Sequence, residues 1–268
     1  MILKKNNDKN EQYISELEEK IVELSLNLKS KKNELSEVRE LNGLIIKKLI
    51  HNLKNPIGVA FSFSDMILEG LTNYTPEKLE KHINIIKTSS NFSINLLNKF
   101  AEFYRYQSPE LTFNFKENNY IDLINKVVTN FEEVLKEKKI SIECKFSSQE
   151  IYFSFDEDEI YIAISNILNN AIRYSNENSA IIIEVVESEN TIDTFIADKG
   201  MGISEMDLIE ILNPFYVVNT FSNDKQKCIG LGLAISNKII QSHQGKISFK
   251  SAIDKGTTVK TTLPNNKE

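Results

Sequence analysis

From Ile14 to Asn42 the chain sets an apolar or register-fixing residue at alternating steps of three and four: Ile14, Leu17, Ile21, Leu24, Leu28, Lys31, Leu35, Val38 and Asn42. A 3.5-residue repeat keeps one stripe of a helix against a partner helix, and no Pro or Gly interrupts residues 11–42. The spacing predicts a coiled coil. Lys31 and Asn42 are polar residues inside the seam, a device that fixes register and oligomer state at a cost in stability. A single amphipathic helix lying on its own domain is the competing reading, and it accounts less well for so long a run.

A second seam follows at Ile46, Leu49, Leu53, Pro56, Ala60, Phe63 and Ile67. Joining it to the first takes two successive steps of four, Val38 to Asn42 to Ile46, which is a stutter in the supercoil at Gly43. Gly70 suits the end of this helix, and Thr75-Pro76 supplies an N-cap and first-turn proline for the next. That helix carries Leu79, Ile83, Ile86, Ser90, Ile94, Leu97, Ala101 and Tyr104 until Ser108-Pro109 breaks it. Two antiparallel helices of this kind in a homodimer make a four-helix bundle.

Beyond Leu111 the period changes. Short β-rich runs at 111–116, 140–146, 151–155, 180–187, 191–197, 246–251 and 257–263 interleave with helical patterns near 120–138, 157–174, 204–211 and 231–243. The fold class expected is therefore α+β: a coiled coil over 1–42, a helical hairpin over 43–107, and an α/β-sandwich domain over 108–268. A net charge of −6 gives no basic field for nucleic acid. Two cysteines, Cys144 and Cys228, and three scattered histidines make neither a disulfide framework nor a metal cluster. With no apolar run long enough to span a membrane, a cytoplasmic location is expected.

Four constellations carry chemistry. His51 falls on the outer face of the first bundle helix, and His51-Asn52-Leu53-Lys54-Asn55-Pro56 puts a helix-disrupting proline one turn after it. Asn166 and Asn170 share one face of a helix, where amide oxygens beside phosphates can hold Mg²⁺. Asp198-Lys-Gly200-Met-Gly202 ends a strand. Its carboxylate can accept from an exocyclic amine such as adenine's, although alone the pattern is only a turn. Gly230-Leu231-Gly232-Leu233 opens a helix whose free N–H groups suit phosphate. Between the last two, residues 217–229 with Lys225 and Lys227 have the composition of a lid over a nucleotide.

Each constellation is weak singly, but their order and spacing resemble the histidine kinase family. The resemblance covers about residues 44–264: phosphoacceptor box 51–56, asparagine box 166–174, first glycine box 198–202, phenylalanine box Pro214-Phe215-Tyr216, second glycine box 230–233 and the late Gly256-Thr257-Thr258 strand. It implies a Bergerat-type ATP-binding domain with Asp198 reading adenine and Asn166 holding Mg²⁺. Asn170, Arg173 and Tyr174 would line the phosphate side, Thr257 would close the site, and Asp156 would be structural. It also implies autophosphorylation of His51 and transfer to an aspartate of a response-regulator receiver domain docked on the bundle. A plain ATPase of the gyrase kind would leave His51 idle.

The sequence departs from that pattern at two places. Asn52 stands where the family usually has Asp or Glu. Its amide oxygen can accept from the imidazole Nδ1–H but cannot take a proton, so phosphorylation is expected to slow, by roughly one to three orders of magnitude. Asn55 matches the residue that positions water for dephosphorylating the partner. A phosphatase-biased enzyme, or a catalytically weak nucleotide-binding scaffold, is therefore the alternative. The second departure, Cys228 in place of a frequent glycine, bears on lid flexibility.

Overall fold

A computed structural model describes residues 2–70, 74–108, 110–218 and 228–265, with backbone alone for residues 2–16 and 18. Two compact units divide the chain after Asn52. In the first, helix α1 (Ile2–Glu69) passes Gly43 without a break. The predicted seam residues Leu17, Ile21, Leu24, Leu28, Leu35 and Val38 are all exposed, so the single chain gives that stripe nothing to bury against.

In the second unit α1 continues through Pro56, which is buried. Its end is fixed by Tyr74. The Tyr74 hydroxyl donates to Met66 O (3.1 Å) and lies 3.1 Å from His82 Nδ1, and the His82 ring stands edge-on to Phe63. Helix α2 (Pro76–Arg105) starts as predicted, with Thr75 Oγ1 accepting from the Lys78 N–H and Pro76 in the first turn. Its buried side is Ser93, Leu96 and Phe103. Five residues of the predicted seam, Ile83, Ile94, Leu97, Ala101 and Tyr104, are exposed instead. A hairpin helix has one face to bury within its own chain, and the sequence stripe follows the other.

The α+β domain follows. Strand β1 (Lys116–Asn119) pairs antiparallel with β3 (Tyr152–Phe155). A five-stranded sheet runs in the order β2 (Ser141–Phe146), β4 (Ala180–Glu187), β5 (Thr191–Ala197), β7 (Gly256–Pro264), β6 (Lys246–Ala252), and only β2–β4 is parallel. Burial alternates along β5 and β7, as it must when one sheet face is covered. The covering layer is α3 (Tyr120–Asn130), α5 (Glu157–Tyr174) and α7 (Gly232–Ser242). Tyr120, Phe153, Phe155, Ile164 and Leu168 are fully buried between the elements. Helices α4 (Glu132–Lys138) and α6 (Glu205–Glu210) are short flanking turns.

Two local expectations fail. Residues 111–115 form no strand, because the rings of Phe113 and Phe115 pack on His243 and the Asn114 N–H donates to Asp156 Oδ2 (2.7 Å). The helix expected over 120–138 breaks into two at Phe131. Asp156 is structural, as expected: its Oδ1 caps α5 by accepting from the Glu159 N–H (3.2 Å).

Two contacts tie α2 to the α+β domain. Glu159, in the first turn of α5, accepts from Arg105 (2.8 Å) and from the Tyr106 hydroxyl at the end of α2. One turn back, Phe100 stacks on Phe215 with centroids 6.3 Å apart.

Candidate functional site

The site is built where β5 ends. The backbone N–H of Asp198 donates to Thr257 O (2.9 Å), which aligns the strand end with β7. Oδ1 of Asp198 accepts from Gly200 N–H (2.8 Å) and Thr257 N–H (3.1 Å). Both described bonds fall on one oxygen, and Oδ2 is left to a ligand. Burial raises the pKa of Asp198 and the two N–H donors oppose the rise. This packing needs glycine. At Gly256 (φ 86°) an added Cβ would lie 2.0 Å from Asp198 O, and at Gly202 (φ 70°) it would lie 1.9 Å from Ala252 O.

Helix α5 supplies the facing wall. Asn166 and Asn170 lie four residues apart on one side of it, with Arg173 and Tyr174 in the last turn. Nδ2 of Asn166 is buried without a hydrogen-bond partner. Gly232 begins α7 beside it, with the Asn166 side chain 3.6 Å from where a Cβ would project. The α7 N-terminus has no side-chain cap, so its first N–H groups are free to meet an anion. Cys228 packs at this end, its sulfur 3.1 Å from the Tyr174 hydroxyl and 3.6 Å from Arg173 Nη1.

These groups open onto one cleft of about 840 Å³. Of the predicted residues, Asn166, Asn170, Arg173, Tyr174 and Asp198 line it, as do Gly202, Gly230, Leu231, Gly232, Leu233 and Thr257. Gly200 does not; it acts through its N–H on Asp198. Asn55 lines it, whereas His51 (exposed) and Asn52 (half-buried) do not. Lys225 and Lys227 lie outside the described residues.

Sequence reasoning missed the wall that α2 contributes: Thr88, Asn91, Phe92, Asn95 and Lys99. Its signal was available, since these polar positions recur at helical spacing on the side away from the exposed apolar stripe. Among the described residues, the charged lining is one carboxylate, Asp198, and two cations, Lys99 and Arg173. An apolar slot with one acceptor at its base, joined to an anion-receptive helix start beside an unpaired amide, fits a nucleotide and its phosphates. Among the described residues no cluster of three or more His, Cys, Asp or Glu could hold a metal, so a cation would rest on Asn166 and the phosphates.

Residues 155–267 match the family model described as histidine kinase-, DNA gyrase B- and HSP90-like ATPase. That model does not separate kinases from gyrases. A match to sensor histidine kinase WalK of Bacillus subtilis (strain 168) runs over 225 residues at 26% identity and so takes in helical segments upstream of the ATPase part. The chain is similar over most of its length to sensor histidine kinases. The WalK match covers 83% of this chain and 36% of WalK, so the chain spans little more than a third of that relative.

Solved kinases share the fold. A complex of histidine kinase ThkA with response regulator protein TrrA matches with TM-score 0.70 and 24% identity, covering 86% of this chain and 64% of that one. Full-length ShkA in complex with AMPPNP matches with TM-score 0.61 and 18% identity, covering 84% and 45%. Among the described residues, no helix is long and apolar enough to cross a membrane.

Proposed function

We infer that the chain phosphorylates its own His51 from Mg-ATP and passes the phosphoryl group to an aspartate of a response-regulator receiver domain. One observation carries this reading. The cleft built on Asp198 and Asn166 is walled by α1 at Asn55 and Pro56, and the same helix presents an exposed histidine one turn earlier. The ThkA complex with its response regulator and the ShkA complex with AMPPNP support the choice of partner and nucleotide.

Asp198 Oδ2 accepts from the adenine amine, and the apolar wall of Met201, Ile203 and Phe249 excludes water from the base. The free N–H groups of α7 and Arg173 face the phosphates. Asn166 would hold Mg²⁺, which when bound neutralises charge on the phosphoryl oxygens. Nε2 of neutral His51 attacks the γ-phosphorus; the N–P bond forms as the bond to the ADP oxygen breaks. Asn52 can accept from the Nδ1–H and orient the ring, but it cannot take the proton, which leaves to solvent.

The protein acts as a homodimer in this reading. Ile57, Phe61 and Leu68 on α1 and Ile83, Ile94 and Leu97 on α2 are exposed apolar residues, a stripe that a second copy would cover. Asn55 is exposed, lines the cleft and follows Asn52, which favours a second reading in which removal of phosphate from the partner outruns its delivery.

Incubation with γ-labelled ATP tests the kinase. Acid-labile label on the wild type and none on His51→Gln is the expected result. Unlabelled wild-type protein that still binds nucleotide overturns it and leaves the weak scaffold.

A further inference from the structure

The nucleotide cleft has a wall that no comparison assigns, the polar side of α2. We propose that Lys99 of α2 binds the terminal phosphate of a bound nucleoside triphosphate, exchanging its partner Glu102 for the phosphate when the nucleotide enters. The inference rests on the nucleotide reading above and adds a phosphate ligand from the helical hairpin.

Geometry places Lys99 at the phosphate end. Glu159 of α5 is bonded to Arg105 and Tyr106, which pins the start of α5 to the end of α2. From that pin both helices run along the same cleft, α5 forward through Asn166 and Asn170, α2 backward through Lys99 and Asn95. Asn166 is seven residues beyond Glu159, and Lys99 is seven residues before Tyr106. At 1.5 Å per residue each lies about 10 Å along its helix from the pin.

The neighbouring contact gives the same placement independently. Phe100 stacks on Phe215, whose N–H donates to Gly230 O (2.8 Å) in the turn that leads into α7. Lys99 thus lines the same cleft as the uncapped start of α7 and as Asn166, whose Nδ2 is buried without a partner.

The electrostatics suit an exchange. Lys99 Nζ is bonded to Glu102 Oε2 at 2.8 Å, and its side chain keeps 40% of its exposure, so the ammonium is held at the cleft edge and not locked away. An ion pair this open contributes little, and a phosphate oxygen carrying more charge in a partly closed cleft competes well for the same ammonium. Asn95, one turn earlier on α2, adds an amide to the same wall.

Titration of the full chain with AMPPNP and with ADP, each with Mg²⁺, tests the assignment. In Lys99→Gln, AMPPNP affinity is expected to fall about tenfold, the size of one charge-assisted phosphate contact, while ADP affinity stays within about twofold. Lys99→Arg should restore most of the loss. Glu102→Gln breaks the same ion pair but keeps the cation, and AMPPNP should bind it at least as tightly as it binds the wild type. Equal losses for both nucleotides in Lys99→Gln, or a loss in Glu102→Gln matching it, would mean that Lys99 acts only through packing and would overturn the proposal. Unchanged AMPPNP binding in Lys99→Gln overturns it while the nucleotide reading stands. A wild type that binds neither nucleotide overturns both.

Discussion

A single oxygen carries the most specific part of the site. Asp198 has its Oδ1 occupied by two backbone N–H groups, so the carboxylate is oriented before any ligand arrives. Asp198→Asn can keep those two bonds through its amide oxygen, but it turns an NH₂ toward the adenine amine, donor against donor. Nucleotide affinity should then fall by about tenfold or more with the melting temperature little changed, in a titration with a fluorescent nucleotide. Undiminished affinity would remove Asp198 from the site. Acid acts at the same atom. Because burial raises the pKa of this carboxyl above its ordinary 3.8, affinity should begin to drop at a higher pH than an exposed aspartate would allow.

At the scale of elements the join between α5 and α7 depends on an uncharged histidine. His243, at the end of α7, lies with Nδ1 2.8 Å from Ile239 O, and its Nε2 accepts from the Asp156 N–H at the start of α5 (3.1 Å). Both bonds can form only with the proton on Nδ1 and none on Nε2. Burial lowers the His243 pKa and outweighs the opposing pull of its Ile239 bond and of the Asp156 and Glu159 carboxylates. The unfolded chain, with an ordinary value near 6.5, therefore takes up the proton first. The stabilisation is complete above that pH and is lost as pH falls through it toward the lower folded value. Melting curves between pH 7.5 and 5 should show a steeper decline for the wild type than for His243→Gln; parallel profiles would refute the assignment. This contact also marks the limit of what the sequence disclosed. Strands β4 and β5 and helix α5 match their expected ranges because their periodicity is local. Residues 111–115 read as a strand for the same reason, yet their rings serve His243, more than a hundred residues away. The polar face of α2 could be read from its spacing, but its place in the cleft could not, since only folding brings Lys99 and Asn166 to one cavity.

For the molecule as a whole, the unsatisfied surface is the exposed apolar stripe of the hairpin. Glutamates at Ile57 and Phe61, both more than half exposed, would put charge into a bundle interface without disturbing the buried core of one chain. The double variant should sediment as a monomer and keep its nucleotide affinity, whereas an unaltered dimer would place the interface elsewhere. Another whole-chain consequence follows from Thr257. Its N–H holds the Asp198 carboxylate, its carbonyl holds the Asp198 backbone, and it stands on β7, the last strand of the sheet in chain order. During synthesis, a chain that has emerged only through β5 and α7 already has its asparagines and glycines but no oriented adenine acceptor. Nucleotide capture, and any phosphorylation that depends on it, must wait for β7 to insert between β5 and β6. In the proposed reading, nascent chains stay silent until the sheet is complete.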